Sequence, residues 1–150
     1  MIAMLRPHAW DFPLFLHVFG AMVLFGAMLA TVTLSAVGTR VPALARSAFW
    51  ALLGAAIPAW ILMRIGAQWT YSKEKNDFFA NSDPTWVGIG FIVADLGLIF
   101  LLLTTGFAFW WKRSGKLAAG WVVTGLSAIY FVLLVIAWLA MSGKWGGLTG

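Results

Sequence analysis

Apolar residues in this chain run on in long unbroken stretches, and polar residues are gathered into the short gaps between them. Four such stretches, at about residues 12–37, 47–70, 85–111 and 117–141, each reach the ~20 residues that carry an α-helix across about 30 Å of hydrocarbon. A transmembrane barrel needs shorter segments of alternating polarity, whereas continuous runs suit helices that satisfy their own backbone in lipid. Pro13 marks the entrance to the first helix, and the turn Gly38-Thr39-Arg40-Val41-Pro42 marks its exit. Asp83-Pro84 opens the third as an N-cap followed by proline at the first helical position. Short connections make neighbours antiparallel, so the pattern predicts an all-α, integral membrane four-helix up-down bundle. With no internal repeat, low-complexity segment or long linker, residues 1–150 form a single domain.

Composition reinforces the bilayer as solvent. The chain is 62% hydrophobic and 10% charged, and its mean hydropathy of +0.91 is one that a small water-soluble domain would carry as an aggregation hazard. A net charge of +5 raises nucleic acid as a partner, but the basic residues fall mostly in short loops, where they set orientation and meet lipid headgroups. No nucleic-acid partner is expected. The absence of cysteine closes off disulfides, thiolate metal sites, iron–sulfur clusters and thiol nucleophiles. The first apolar run is as long as a bilayer span and lacks a small-x-small cleavage site, so it reads as a retained helix.

Charge then orients the bundle. Arg40 and Arg46 lie in the first loop and Lys112, Arg113 and Lys116 in the third, while the second mixes Lys73 and Lys75 with Glu74, Asp77 and Asp83. The basic loops are expected on the cytoplasmic side of a bacterial cell (inner) membrane, with both termini and the loop from Tyr71 to Trp86 on the outer side, against the minor opposition of Arg6 and Lys144. Trp10, Trp69, Tyr71, Trp86 and Trp145 then mark the outer interface, and Trp50, Trp110, Trp111 and Trp121 the inner one. In the outer loop, Asp77, Asn81 and Asp83 are oxygen donors of the kind a hard cation takes, but their spacing matches no cation loop. A solvated cap, with Phe78 and Phe79 dipping into the membrane interface or onto the bundle, accounts for this segment better.

Three ionisable residues stand inside the runs: His17, Arg64 and Asp95. A charge at mid-bilayer costs at least about 2.5–3.5 kcal/mol on insertion scales unless it is paired or wet. Counted inward from Trp10, Tyr71 and Trp86 at about 1.5 Å per residue, all three lie roughly 10–14 Å deep. Three helices thus offer polar groups at one level. Facing one another, Arg64 and Asp95 form an ion pair to which neutral His17 adds a donor or acceptor. The same pair also serves a purely structural role, fixing the register of two helices, and Arg64 has the length to snorkel outward.

Gly20, Ala21 and Leu24 follow His17 on one helical face and leave a small-residue trough, open to a flat ligand or to the close approach of another helix. Pro58 frees a carbonyl in the second helix and predicts a kink there, with Trp60 below Arg64 as plug or stacking partner. Met22, Met28 and Met63 are too scattered for a thioether copper relay. There is no HExxH, no phosphate-cradling glycine loop, no intramembrane carboxylate pair and no second intramembrane histidine, since His8 lies outside the first helix.

The string Leu16-His17-Val18-Phe19-Gly20-Ala21-Met22-Val23-Leu24-Phe25-Gly26 resembles the opening of small bacterial membrane proteins related to the copper-resistance D and HemJ-type protoporphyrinogen oxidase groups. The exit of the fourth helix, residues 137–146, is similar in style to uncharacterised members of that neighbourhood. The resemblance implies the four-helix layout and makes His17 the residue that contacts haem or porphyrin. Phe25 stands where tryptophan is common in those groups, Ala27 interrupts their double glycine, and no intramembrane lysine matches the one associated with HemJ-type enzymes.

Three expectations follow. The first is a haem-like or other hydrophobic cofactor, bound through His17 as metal ligand with Gly20 and Ala21 beneath it. The second is a non-enzymatic accessory subunit, a homo-oligomer or part of a larger membrane partner. The third is an ion or proton pathway through the polar cluster of His17, Arg64 and Asp95. Whether any reaction is catalysed is not written in these motifs.

Overall fold

The computed structural model describes residues 11–77 and 85–143, without the side chains of residues 74–77. All regular structure among the described residues is helical. The first span is α1 (Asp11–Gly38); the second comprises α2 (Leu44–Ala51), a π-helical turn (Leu52–Ala56) and α3 (Ile57–Asp77); the third and fourth are α4 (Thr85–Ser114) and α5 (Leu117–Ser142). Each of the four is long and apolar enough to cross a membrane. The helices outrun the apolar stretches at their ends because an α-helix does not stop where hydrocarbon does. Arg46 points outward from the first turns of α2, and Lys112 and Arg113 lie in the last turn of α4, where cations suit the carbonyl end of the helix dipole.

The connection from α4 to α5 is tight. The Gly115 N–H bonds to the Trp111 carbonyl at 2.8 Å, with Gly115 at a φ of 66°, the left-handed conformation that favours glycine just past a helix end. At the other basic turn, Leu44 N–H bonds to Val41 O at 3.0 Å and Ala45 N–H to Pro42 O at 3.1 Å, so α2 begins directly out of the turn.

Pro58 acts one turn before itself. Its ring crowds the carbonyl of Gly54 and it has no N–H to offer; the chain widens into the π turn, where Ile57 N–H reaches back to Leu52 O. The disturbance expected at the proline is therefore spread over Leu52–Ala56, a common form of helix defect.

Around the bundle α1 packs on α3 at one side and on α5 at the other, and α4 packs on α5. The ring closes at the basic end, where α2 meets α4, while α3 and α4 make few close backbone approaches. Leu24, Met28, Leu52, Leu101, Val123 and Tyr130 fill the centre, fully buried. Trp111, expected as an interface marker, is instead buried at the basic end with Ala45, Ala48 and Ala119. A Cβ on Gly120 would stand 2.9 Å from its indole, and one on Gly38 would collide with it. Trp50, Trp110 and Trp121 do lie exposed at that end.

Within the spans only 22–33% of the most apolar windows is buried inside the protein. Phe15, Met22, Ile92, Ile99, Leu102, Leu103, Val132 and Trp138 point outward instead. Water does not tolerate such a surface, and lipid does.

Candidate functional site

The His17 region is built on a glycine crossing. A Cβ on Gly20 would lie 2.8 Å from Ala59 O and Met63 Cα, and one on Gly66 would lie 2.8 Å from His17 Cα and Pro13 O. Each glycine receives the other helix's backbone, so α1 and α3 approach as closely as backbones can. Gly20 is buried and Ala21 half-buried in this contact. Of the two occupants the trough admits, the structure shows a helix.

That approach brings the His17 ring to the α3 backbone, with Nδ1 3.2 Å from the Met63 carbonyl. A carbonyl only accepts, so Nδ1 carries the proton and donates, which leaves Nε2 as the lone-pair nitrogen. Histidines that ligate metals or accept from a ligand are commonly oriented by a hydrogen bond of this kind on the other nitrogen.

Arg64 and Asp95 meet: Nε donates to Oδ1 at 3.1 Å. The Arg64 guanidinium also bonds to Gln68 Oε1 at 3.0 Å and lies over Phe91, 4.7 Å from the ring centroid, rather than over Trp60. The pair sits on the outer surface of the bundle, Asp95 with 64% of its side chain exposed. His17 bonds to Met63 instead of joining the pair, so the three residues share a level of the bundle without forming one network. Trp60 spans the gap between the second and third membrane helices, its Nε1–H donating to Ala94 O at 2.8 Å.

Beside His17, where α3 and α4 stand apart, lies a half-open cavity of about 260 Å³. His17 lines it from α1; Met63, Ala67, Thr70 and Tyr71 from α3; Trp86, Gly90, Phe91 and Ala94 from α4; Leu134, Ala137 and Met141 from α5. Its walls are chiefly apolar. Thr70 belongs to this wall, but its hydroxyl oxygen is itself buried, and with those of Thr105, Ser127 and Tyr130 it lacks a hydrogen-bond partner among the described residues. An unpartnered buried hydroxyl costs about 1–3 kcal/mol.

Met63, Gly66, Ala67 and Thr70 follow one another on one face of α3. Gly66 touches His17, so Thr70 stands one turn outward of it, roughly 6 Å along the axis. Sequence reading missed Thr70 because it ends an apolar run and resembles a boundary residue; its spacing from Met63 and Gly66 was the available signal. Tyr71 and Trp86, expected as interface markers, line the cavity as well. The methionines diverge, Met22 being exposed and Met28 and Met63 buried.

No group of three or more histidine, cysteine, aspartate or glutamate side chains able to hold a metal occurs among the described residues. A porphyrin is tested by the same geometry. The His17 tautomer suits an axial ligand, but the Gly20–Ala21 face is occupied by α3, and about 260 Å³ falls below the ~300–1,000 Å³ of sites for drug-sized ligands. A macrocycle with its substituents is larger than this half-open cavity. The outer-loop donors Asn81 and Asp83, the Asp83-Pro84 cap, Phe78, Phe79, Arg6, His8, Trp10, Lys144 and Trp145 lie outside the described residues, as does the Asp77 side chain. Comparison of the chain with protein-family models, with characterised proteins and with solved structures found no match.

Proposed function

We propose that this protein is a membrane-embedded binding protein whose ligand, a small and mostly apolar molecule with one hydrogen-bonding end, is held beside His17 in the outer half of the bundle. The observation that carries the reading is a chiefly apolar cavity lined by His17, whose Nδ1 is held by the Met63 carbonyl. In this reading the ligand's polar end donates to His17 Nε2, the ring nitrogen that does not meet Met63. The short likeness of α1 to the copper-resistance D and HemJ-type groups agrees with a site centred on His17, for a ligand smaller than porphyrin. Arg40, Arg46, Lys112, Arg113 and Lys116 favour a cytoplasmic placement of the basic turns, which in this reading sets the cavity on the outer side of a bacterial inner membrane.

Native mass spectrometry of the detergent-purified chain tests this. A small-molecule adduct is expected on the wild type. It should be absent from Ala137→Trp and Ala67→Phe, which fill the cavity, and weakened about tenfold in His17→Ala, the effect of one hydrogen bond. The visible spectrum, oxidised and dithionite-reduced, should lack a Soret band. No adduct on wild type, or the same adduct on well-folded cavity-filled variants, sinks the proposal; a Soret band lost in His17→Ala restores haem.

A second reading, a non-enzymatic accessory subunit of a larger or homo-oligomeric assembly, is favoured by Asp95, a carboxylate well inside a span with 64% of its side chain uncovered by its own chain. A partner helix over the ion pair would shield it from lipid. Mass measurement in mild detergent distinguishes the two, since an assembly dissociated by Asp95→Leu supports the subunit.

A further inference from the structure

One face of α4 is left bare by the rest of the chain. Gly88, Ile92, Asp95, Ile99, Leu102 and Gly106 all point outward along it, spaced four, three, four, three and four residues apart. A stripe of this kind stays in line with a second helix that crosses it at a small angle. The glycines at its two ends, where a Cβ would meet nothing of this chain, leave room for another backbone to come close. Apolarity alone does not choose between lipid and protein as the cover of such a stripe. Asp95, at its middle, does.

Asp95 stands ten residues beyond Thr85, about 15 Å along α4. Its Oδ1 takes the Arg64 Nε–H at 3.1 Å, and most of the side chain is exposed. Oδ2 meets no donor among the described residues. Behind the pair the α3–α4 seam is shut, with Trp60 Nε1–H on the Ala94 carbonyl and the Phe91 ring under the guanidinium. The donor that Oδ2 lacks is therefore to be sought on the lipid side, where an unmet carboxylate oxygen is costly.

The same patch also holds spare donors. Arg64 gives one N–H to Asp95 and another to Gln68, and the remaining N–H groups of its fork stay available, since guanidinium only donates. A surface with a surplus acceptor and surplus donors at one level is complementary to itself. A second copy turned by half a revolution about the membrane normal brings its patch to the same level, so that the residue pairs exchange reciprocally. The four charges then alternate around the axis, each carboxylate between two guanidiniums, and sum to zero. A foreign helix with a single cation would satisfy Oδ2 but leave a net charge in hydrocarbon.

Deepening the subunit reading above, on which it rests, we propose that the partner over Asp95 is a second copy of this chain in the same orientation in the membrane. α4 packs against α4, and Arg64 of each copy bonds to Asp95 of both.

The test uses the full chain, first in the membranes of the expressing host. Because the protein has no cysteine, single thiols report contacts without background. On mild oxidation Ile92→Cys and Ile99→Cys should each form a disulfide with their own copy, whereas Ile129→Cys, similarly exposed on α5, should not. In mild detergent the wild type should have the mass of a dimer. Arg64→Leu leaves two carboxylates facing each other and Asp95→Leu two guanidiniums, so each should weaken the dimer at least about tenfold. An equimolar mixture of the two should recover it, because Arg64 of one copy then meets Asp95 of the other. An ion pair that serves only its own chain gives no such rescue. Single variants as dimeric as the wild type, or a folded mixture that stays monomeric, overturn the exchange of charges. The cross-links keep the native charges, so they decide the face even where a charge variant fails to fold; disulfides at Ile129→Cys instead overturn α4 as the interface. A wild type without self-contacts but with a different protein over α4 overturns self-pairing and leaves the subunit reading standing, and a bare monomer overturns both.

Discussion

Gly66 and Thr70 lie one turn apart on the same face of α3 and act in opposite senses. Gly66 is where α3 admits the backbone of α1 at His17. A side chain there must push the helices apart, and overpacking a tight contact costs about 1–3 kcal/mol. Gly66→Leu should therefore lower the thermal midpoint in detergent, and with it displace the His17 ring from the Met63 carbonyl. Thr70 is the reverse case. Its hydroxyl is buried without a partner among the described residues, so Thr70→Val, which keeps the shape and removes the orphan, should stabilise by about 1 kcal/mol. A raised thermal midpoint in detergent is the expected reading; a Thr70→Val that destabilises would point to a hydroxyl that serves the fold.

Between elements, the contrast is between interfaces closed by small residues and one closed by long side chains. The α1–α3 contact rests on Gly20 and Gly66, and the basic end rests on Trp111 seated over Gly38 and Gly120. The α3–α4 seam rests instead on Trp60, Arg64, Asp95 and Phe91. If Arg64 and Asp95 bind chiefly each other, Arg64→Ala and Asp95→Ala should each destabilise and the double variant should be milder than their sum, with a coupling of about 0.5–3 kcal/mol in a detergent unfolding cycle. Strict additivity would mean that each residue answers to lipid or Gln68 rather than to its partner. The π turn belongs to this scale as well. Pro58 is visible in the sequence, but whether a helix kinks at a proline or widens in the turn before it depends on how its two halves must face their neighbours. Here α2 packs on α1 and α4 while α3 keeps Gly66 on α1.

For the whole molecule, the distribution of Lys and Arg is the handle on sidedness. Because the chain has no native cysteine, single thiols report position without background. In intact cells, Pro42→Cys should resist a membrane-impermeant maleimide and Ser72→Cys should react with it; the opposite pattern would invert the bundle and put the cavity on the cytoplasmic side. Four spans, their helical nature and their short antiparallel connections were legible in the sequence, because each is a local property: a run of apolar side chains long enough for hydrocarbon must be a helix, and a tight turn must reverse it. The common level of His17, Arg64 and Asp95 along the bundle was legible for the same reason, since a constant rise per residue converts position into height. Which way those residues face was decided only in three dimensions. In a helix apolar all round, no hydrophobic periodicity separates the face that meets protein from the face that meets lipid, so the rotation of each span is set by where glycines let backbones touch. That rotation turned His17 toward Met63 and a cavity, left Arg64 and Asp95 on the outside of a seam, buried Trp111, and set Thr70, unremarkable in the sequence, in an apolar wall.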